Sequence, residues 1–373
     1  MRFHAPARFL VPAALALASA VQAQTLAGSP ASATTAAKTD PRGKKVLGLA
    51  DIARWKRINN AALSSDGSWM TFIYQPNEGD DTLFVKQLPT GKTYTIPLGG
   101  EPQFSDDARF VGYFVSPPEG RGGRGGRGGG GRGAQPGAAA TPTPARRFEL
   151  LDLASGEKYQ VPDGASFKFS KGSKYLAVKA TKANATAKHN GTDLVLRDLT
   201  AGVSQNIGNV GTYDFDDAGH LLAYTIDAAE RSGNGVYVVD LATSRSRVLN
   251  SATADYDQLS WSDKGTGLAV LRGDKKKENV QRDNVLLVWT DASNPSARAA
   301  EYDPTKDARF PKTMVVSELT PPRWTRDGSR IYVGLKEQEA ERPTTTDPQA
   351  NVDVWHWKDA EVQSVQMIRL AQE

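Results

Sequence analysis

Four histidines are the only imidazole bases in this 373-residue chain: His4, His189, His220 and His356. His189 lies in a polar stretch, His220 in a turn, and His356 between Trp355 and Trp357. A serine hydrolase of the α/β type needs a nucleophile elbow, Gly-x-Ser-x-Gly, and a histidine oriented by a carboxylate. The elbow is missing from these residues. Carboxylates recur instead, as Asp66, Asp106, Asp107, Asp216, Asp217, Asp263 and Asp327. Paired acids could do general acid–base work, but an Asp before Gly in a short polar stretch is favoured for another reason. Its side chain accepts hydrogen bonds from nearby backbone amides. Recurrence at one position of a repeat is what that structural role predicts. With no cysteine, no histidine pair and no calcium-loop spacing, the chain is expected to hold no metal and no cofactor, and no catalytic residue is assigned.

The elements around these aspartates repeat. An aromatic or aliphatic residue leads into a small polar turn at Leu63, Phe104, Phe169, Phe215, Trp261 and Trp324, with spacings of 41, 65, 46, 46 and 63. An apolar strand follows each turn: Trp69–Tyr74, Phe110–Val115, Tyr175–Val178, Leu221–Ile226, Leu268–Leu271 and Ile331–Leu335. Further strands fall between them, beginning at Leu83, Phe148, Leu194 and Val236, and more weakly at Leu286 and Val354. Four strands in about 46 residues is the signature of a propeller blade. The expected fold is therefore an all-β propeller over residues 45–373, with about six blade repeats of a ring of seven or eight. Helix signals are few, the best being Ala50–Ile58.

Two connections exceed what a hairpin needs: Gly273–Asn284, with Lys275, Lys276 and Lys277, and Lys336–Asn351, with Glu337, Glu339, Glu341 and Arg342. Long loops on a rigid scaffold are where binding residues concentrate.

Residues 1–23 have the form of a secretory signal. Arg2 and Arg8 precede an apolar run, Phe9–Ala20, and Val21-Gln22-Ala23 makes a cleavage site that leaves Gln24 as the mature start. A run of this length, interrupted by Pro12, is too short to span roughly 30 Å of hydrocarbon, so no transmembrane anchor is expected. The reading implies a periplasmic or secreted protein. Residues 24–44 form a flexible lead-in rich in Ala, Ser and Thr.

The formal charge of +4 comes from one segment. Without Arg2, Arg8 and residues 118–147, 38 basic and 41 acidic residues remain. That segment carries 11 of the 35 glycines between Gly120 and Gly137, and six arginines. It has too little apolar surface to offset its ordering entropy and is expected to be disordered. It lacks the aromatics of a single-strand nucleic-acid platform, so no nucleic-acid partner is expected. Deleting Gly120–Pro144 should barely move the melting temperature, because closure entropy changes by only about 0.6 kcal/mol per doubling of loop length. A large loss of melting temperature would reject the loop assignment.

The opening Leu49–Ile58, the turn Leu63-Ser-Ser-Asp-Gly-Ser-Trp69 and the stretch Val354-Trp-His-Trp-Lys-Asp359 resemble the N-terminal propeller of exported prolyl oligopeptidase family serine peptidases. The Ser-x-Asp-Gly turn alone is shared with Tol-type propellers. The resemblance covers roughly residues 45–370. It implies a propeller that limits substrate access to a C-terminal α/β-hydrolase domain, which would be the partner together with peptide substrates. The sequence ends at Glu373 without that domain, so it resembles the N-terminal part of a larger protein. No triad residue carries over, and Glu337-Gln338-Glu339 does not match the paired-glutamate pattern of dipeptidyl-peptidase members. The rival reading is a self-contained periplasmic Tol-like propeller that binds other proteins. An independent propeller enzyme would need clustered acids or metal ligands, which the sequence does not show.

Overall fold

The computed structural model describes residues 47–52, 55–77, 79–117, 146–184, 186–263, 265–341, 358–359 and 361–370. The signal and its cleavage site at Ala23 and Gln24, the lead-in, residues 118–145 of the insertion, and Val354–Trp357 lie outside these residues. The described residues up to Ile52 and those from Trp55 onward belong to separate compact units. In the first, helix α1 (Leu49–Ile52) is a single turn, and the Asp51 carboxylate accepts the Gly48 amide at 2.9 Å.

The second unit is a series of antiparallel meanders. The first blade is β1 (Lys56–Leu63), β2 (Trp69–Pro76), β3 (Thr82–Gln87) and β4 (Thr93–Pro97), paired in chain order. The second is β5 (Gly99–Phe104), β6 (Phe110–Val115), β7 (Arg147–Asp152) and β8 (Lys158–Val161). The third is β9 (Gly164–Phe169), β10 (Tyr175–Ala180), β11 (Thr192–Asp198) and the start of β12 (Ser204–Phe215). The fourth is the end of β12 with β13 (Leu221–Ile226), β14 (Gly235–Asp240) and β15 (Arg245–Ser251). The fifth is β16 (Asp255–Trp261), β17 (Leu268–Asp274), β18 (Asp283–Trp289) and β19 (Ala300–Tyr302). A sixth begins as a hairpin interrupted in both arms: β20 (Met314–Val316) and β21 (Arg323–Trp324) pair with β23 (Leu335–Glu337) and β22 (Ile331–Tyr332), respectively.

Five hydrophobic clusters lie between successive blades, which makes the stack a propeller. One joins Trp69, Leu83 and Val85 of the first blade to Val111, Tyr113 and Leu151 of the second. Others join the second to the third, the third to the fourth, the fourth to the fifth, and the fifth to the start of the sixth. The second strand of a blade with neighbours on both sides is therefore covered on both faces, and β6 is buried throughout. Such strands read as continuous apolar runs, not alternating ones. In β2 burial alternates instead, with Trp69, Thr71 and Ile73 buried and Met70, Phe72 and Tyr74 half-buried. Each fully buried Leu or Phe contributes roughly 1.5–3 kcal/mol. Gly112 lets the aromatic layer close over β6, since a Cβ there would sit 2.7 Å from the Phe167 ring and 3.0 Å from that of Phe148.

Three expectations change. The helix expected over Ala50–Ile58 stops at Ile52, and Lys56, Arg57 and Ile58 pair with Pro76, Gln75 and Tyr74 as strand. The third and fourth blades share β12, which turns from β11 to β13 at a corner where Asn209 takes φ 57° and both ladders shift register. Ile331–Leu335 is not one strand, because Val333 and Gly334 interrupt it. A second helix, α2 (Gln363–Leu370), follows near the end. Lys358 and Asp359, expected at the end of a strand, lie outside regular structure.

Candidate functional site at the long-connection end of the blades

A four-stranded meander has two ends. Connections from first to second strand, and from third to fourth, lie at one end; the others lie at the opposite end. At the first end the six repeated turns adopt one geometry. The residue opening each turn donates its backbone N–H across it, as in Ser64 N to Trp69 O at 2.9 Å, Ser105 N to Phe110 O at 3.0 Å and Thr325 N to Arg330 O at 2.9 Å. Its side-chain oxygen accepts the returning amide: Ser64 from Trp69 at 3.0 Å, Ser105 from Phe110 at 2.8 Å, Ser170 from Tyr175 at 3.0 Å, and Ser262 from Gly267 at 3.2 Å. Asp216 replaces the serine and accepts the amides of His220 and Leu221 at 2.7 Å each.

The turn aspartates are held by their own turns. Asp66 accepts the Ser64 hydroxyl at 2.6 Å and the Ser68 hydroxyl at 2.6 Å, and these bonds bring its carboxyl down to about 2. The Thr325 and Ser329 hydroxyls do the same for Asp327, also to about 2. Asp107 accepts the Ser105 hydroxyl, and Asp106 accepts the Gly172 amide of the next blade at 3.0 Å. These carboxylates are committed to backbone geometry. The lead tryptophans also reach the preceding blade: Trp261 Nε1 donates to Asp214 O at 3.0 Å and Trp324 Nε1 to Ser260 O at 3.1 Å.

The opposite end differs. The connections from second to third strand run over residues 77–81, 116–146, 181–191, 227–234 and 275–282, and a fourth-to-first connection covers 303–313. The turns between first and second strands are only five or six residues long. The Gly/Arg-rich insertion leaves from this long-connection end, anchored by the pairing of Val115 with Arg147. His189 lies in the 181–191 connection, half-buried, with no hydrogen-bond partner for Nδ1 among the described residues. Neither His189 nor His220 has its imidazole hydrogen-bonded to a serine among the described residues.

The two long connections picked out in the sequence meet here. Asn279 bridges Ala340, Val280 N donates to Glu339 O at 2.8 Å, and Glu341 N donates to Glu278 O at 2.8 Å. Lys275 pairs with Glu341 at 3.3 Å, and Lys276 with Asp283 at 2.7 Å. Gln338 spans the junction, accepting the Gln281 amide at 3.1 Å and donating to the Gln281 carbonyl at 3.2 Å.

Beside them is a cluster of charges that sequence reading did not single out. Asp257 on β16 accepts Arg282 Nη1 at 2.8 Å, and Arg282 Nε donates to Asn284 Oδ1 at 2.7 Å. Asn284 Nδ2 in turn donates to Val316 O at 2.7 Å, tying the fifth blade to the sixth. Burial pushes the Asp257 carboxyl up against the opposing pull of Arg282, and Asp227 and Asp255 add repulsion. Yet 42% of its side-chain surface is accessible. Burial also pushes Lys179 down, against the pull of Asp227 and Asp257. Arg231 links Asp255, at 2.9 Å, to Asp274. Both signs of charge are thus presented where water is partly excluded, an arrangement suited to holding a charged ligand.

A cavity of about 660 Å³ opens between the fifth blade, the 303–313 connection and β20. No group of three or more His, Cys, Asp or Glu placed to hold a metal occurs among the described residues. Nor is any described helix long and apolar enough to cross a membrane.

No family model matches the chain, and no curated protein matches it. Among solved structures it is similar to a prolyl endopeptidase, with 12% identity, a TM-score of 0.41, and coverage of 78% of this chain and 41% of that one. It is also similar to the β-propeller domain of the Trilobed protease from Pyrococcus furiosus, with 9% identity, a TM-score of 0.39, and coverage of 76% and 79%. A third likeness is to TolB from Acinetobacter baumannii, with 15% identity, a TM-score of 0.30, and coverage of 67% and 55%. The chain spans less than half the length of the prolyl endopeptidase. Likenesses at this level say nothing of activity, and the propeller architecture stands on the stacked sheets themselves.

Proposed function

We propose that this chain is the substrate-access propeller of an exported prolyl oligopeptidase-like serine peptidase and is not itself catalytic. The observation that carries the reading is the difference between the two ends of the blades. One end is mostly closed by hydrogen-bonded turns, the 290–299 connection excepted, while the other gathers most of the long connections, the charge cluster and the cavity. A scaffold that filters peptides needs such a face, and its partner in this reading is an α/β-hydrolase domain. The opening and turn residues that resemble the peptidase propellers support the choice of family.

Catalysis of acyl transfer needs a nucleophile, a base and an oxyanion hole in fixed geometry. The purified 373-residue chain is therefore expected to show no fluorophosphonate labelling and no hydrolysis of prolyl or aminoacyl peptides. Labelling at one serine with matching hydrolysis would overturn the non-catalytic assignment. The assembly is tested separately by reading the coding sequence beyond codon 373. An in-frame Gly-x-Ser-x-Gly domain supports it; an immediate stop replaces it with the self-contained, Tol-like binding propeller.

A further inference from the structure

We infer that the cavity between the fifth and sixth blades is a binding site for the C-terminus of a peptide that ends in a large apolar residue. The volume, about 660 Å³, falls within the range of small-ligand sites. Val285, Phe310, Met314, Val315 and Pro311 form an apolar lining. Phe310 also packs on the buried cluster around Leu286 and Val316, so this wall is fixed by the core. An apolar side chain entering here loses water against a surface already in place.

The charges around the cavity select the other end of the ligand. Each lining carboxylate is already ion-paired: Asp274 with Arg231, which it shares with Asp255, Asp283 with Lys276, Asp303 with Lys306 at 3.2 Å, and Asp307 with Arg309 at 3.1 Å. Of the lining cations, Arg272 is paired with Glu301 at 3.0 Å and Lys276 with Asp283. Lys312 is the lining cation without an ion-pair partner among the described residues. An amine or guanidine ligand would have to compete with existing pairs for a carboxylate, whereas a carboxylate meets Lys312 without displacing anything. The backbone of the 303–313 connection is stiffened by Pro304 and Pro311 and capped where Asp303 accepts the Thr305 amide at 3.0 Å, which lowers the ordering cost of binding. The site does not depend on the peptidase reading, and a self-contained binding propeller could use it equally.

The test is calorimetric titration of the 373-residue protein with the acetylated pentapeptide Ala-Ala-Ala-Ala-Phe, once as the free acid and once as the C-terminal amide. The acid should bind with one-to-one stoichiometry and the amide at least about tenfold more weakly, because the charge-assisted contact to Lys312 is lost. Lys312→Glu should weaken the acid by a similar factor. Lys277→Glu, which makes the same charge change in the neighbouring connection outside the cavity lining, should leave affinity within about threefold. Ala308→Trp should abolish binding by filling the cavity from its rim. Lys312 and Ala308 are both exposed, so the melting temperature of each variant, measured alongside, should match the parent. No binding of either peptide, equal binding of acid and amide, or an unchanged affinity in Lys312→Glu would overturn the assignment.

Discussion

Replacing Glu149 with alanine is expected to lower the free energy of unfolding by about 3 kcal/mol, a large share of what a domain possesses. Glu149 lies on β7 with only 2% of its side chain exposed. Both carboxylate oxygens are saturated. Oε1 accepts Arg147 Nε at 2.8 Å and Gln160 Nε2 at 3.1 Å; Oε2 accepts the Tyr113 hydroxyl at 2.8 Å and Lys158 Nζ at 3.1 Å. Burial alone would push this carboxyl up, but the bonds from Tyr113, Arg147 and Lys158 win and hold it below the usual range. Arg147 and Lys158 are half-exposed and can return to water. Tyr113 cannot, since it is fully buried and its hydroxyl, pushed upward by desolvation, would lose its acceptor. Tyr113→Phe should therefore cost much less in the Glu149→Ala background than alone, a coupling that a double-mutant cycle in urea reads directly. Because the folded carboxyl is depressed, its stabilisation is present above the ordinary Glu range and is lost as pH falls through the folded value. The gap between parent and Glu149→Ala should be full at pH 7 and shrink below about pH 4. A gap under 1 kcal/mol at pH 7, or one that does not change with pH, would contradict the network.

Glu149 also marks where sequence reading ran out. The stretch from Phe148 to Leu153 reads as an apolar strand, and the strand runs from Arg147 to Asp152, but nothing local shows that Tyr113 faces it from the adjacent strand across the 31-residue connection 116–146. The six turns were legible because their chemistry is local: the serine, threonine or aspartate that opens each turn bonds an amide a few residues away. The buried second strands were legible as apolar runs. The shared strand β12 was not, since a corner made by Asn209 carries no Pro or Asp-Gly signal. At the candidate site, Gly273–Asn284 and Lys336–Asn351 stood out by length alone. Their mutual pairing, and the meeting of Lys179, Asp227, Asp257 and Arg282, come from blade stacking. Single charges spaced tens of residues apart have no period to reveal them.

Trp289→Ala should destabilise the protein by about 3–5 kcal/mol, and Trp289→Phe by less than half as much. Trp289 ends β18, is fully buried, and packs in the cluster that joins the fourth blade, through Ala223 and Val236, to Tyr256 and Leu268 of the fifth. Truncation to alanine leaves a cavity between two sheets, and each sheet is held by its own ladder and cannot collapse into the gap. Phenylalanine restores most of the ring. It also removes an indole Nε1–H that finds no hydrogen-bond partner among the described residues, so no bond is lost and an unpaired buried donor is relieved. Trp261 and Trp324 supply the contrast. Their indoles donate to Asp214 O and Ser260 O in the preceding blade, so Trp→Phe at either position gives up a bond worth about 1 kcal/mol as well as the smaller ring. Trp261 and Trp324 are also only partly buried, so their alanine variants should cost less than Trp289→Ala. Thermal melts of all six variants should therefore rank the alanine losses by burial and the phenylalanine losses by the fate of the indole N–H. If Trp289→Ala costs less than about 2 kcal/mol, the cores between blades are not what holds this stack together.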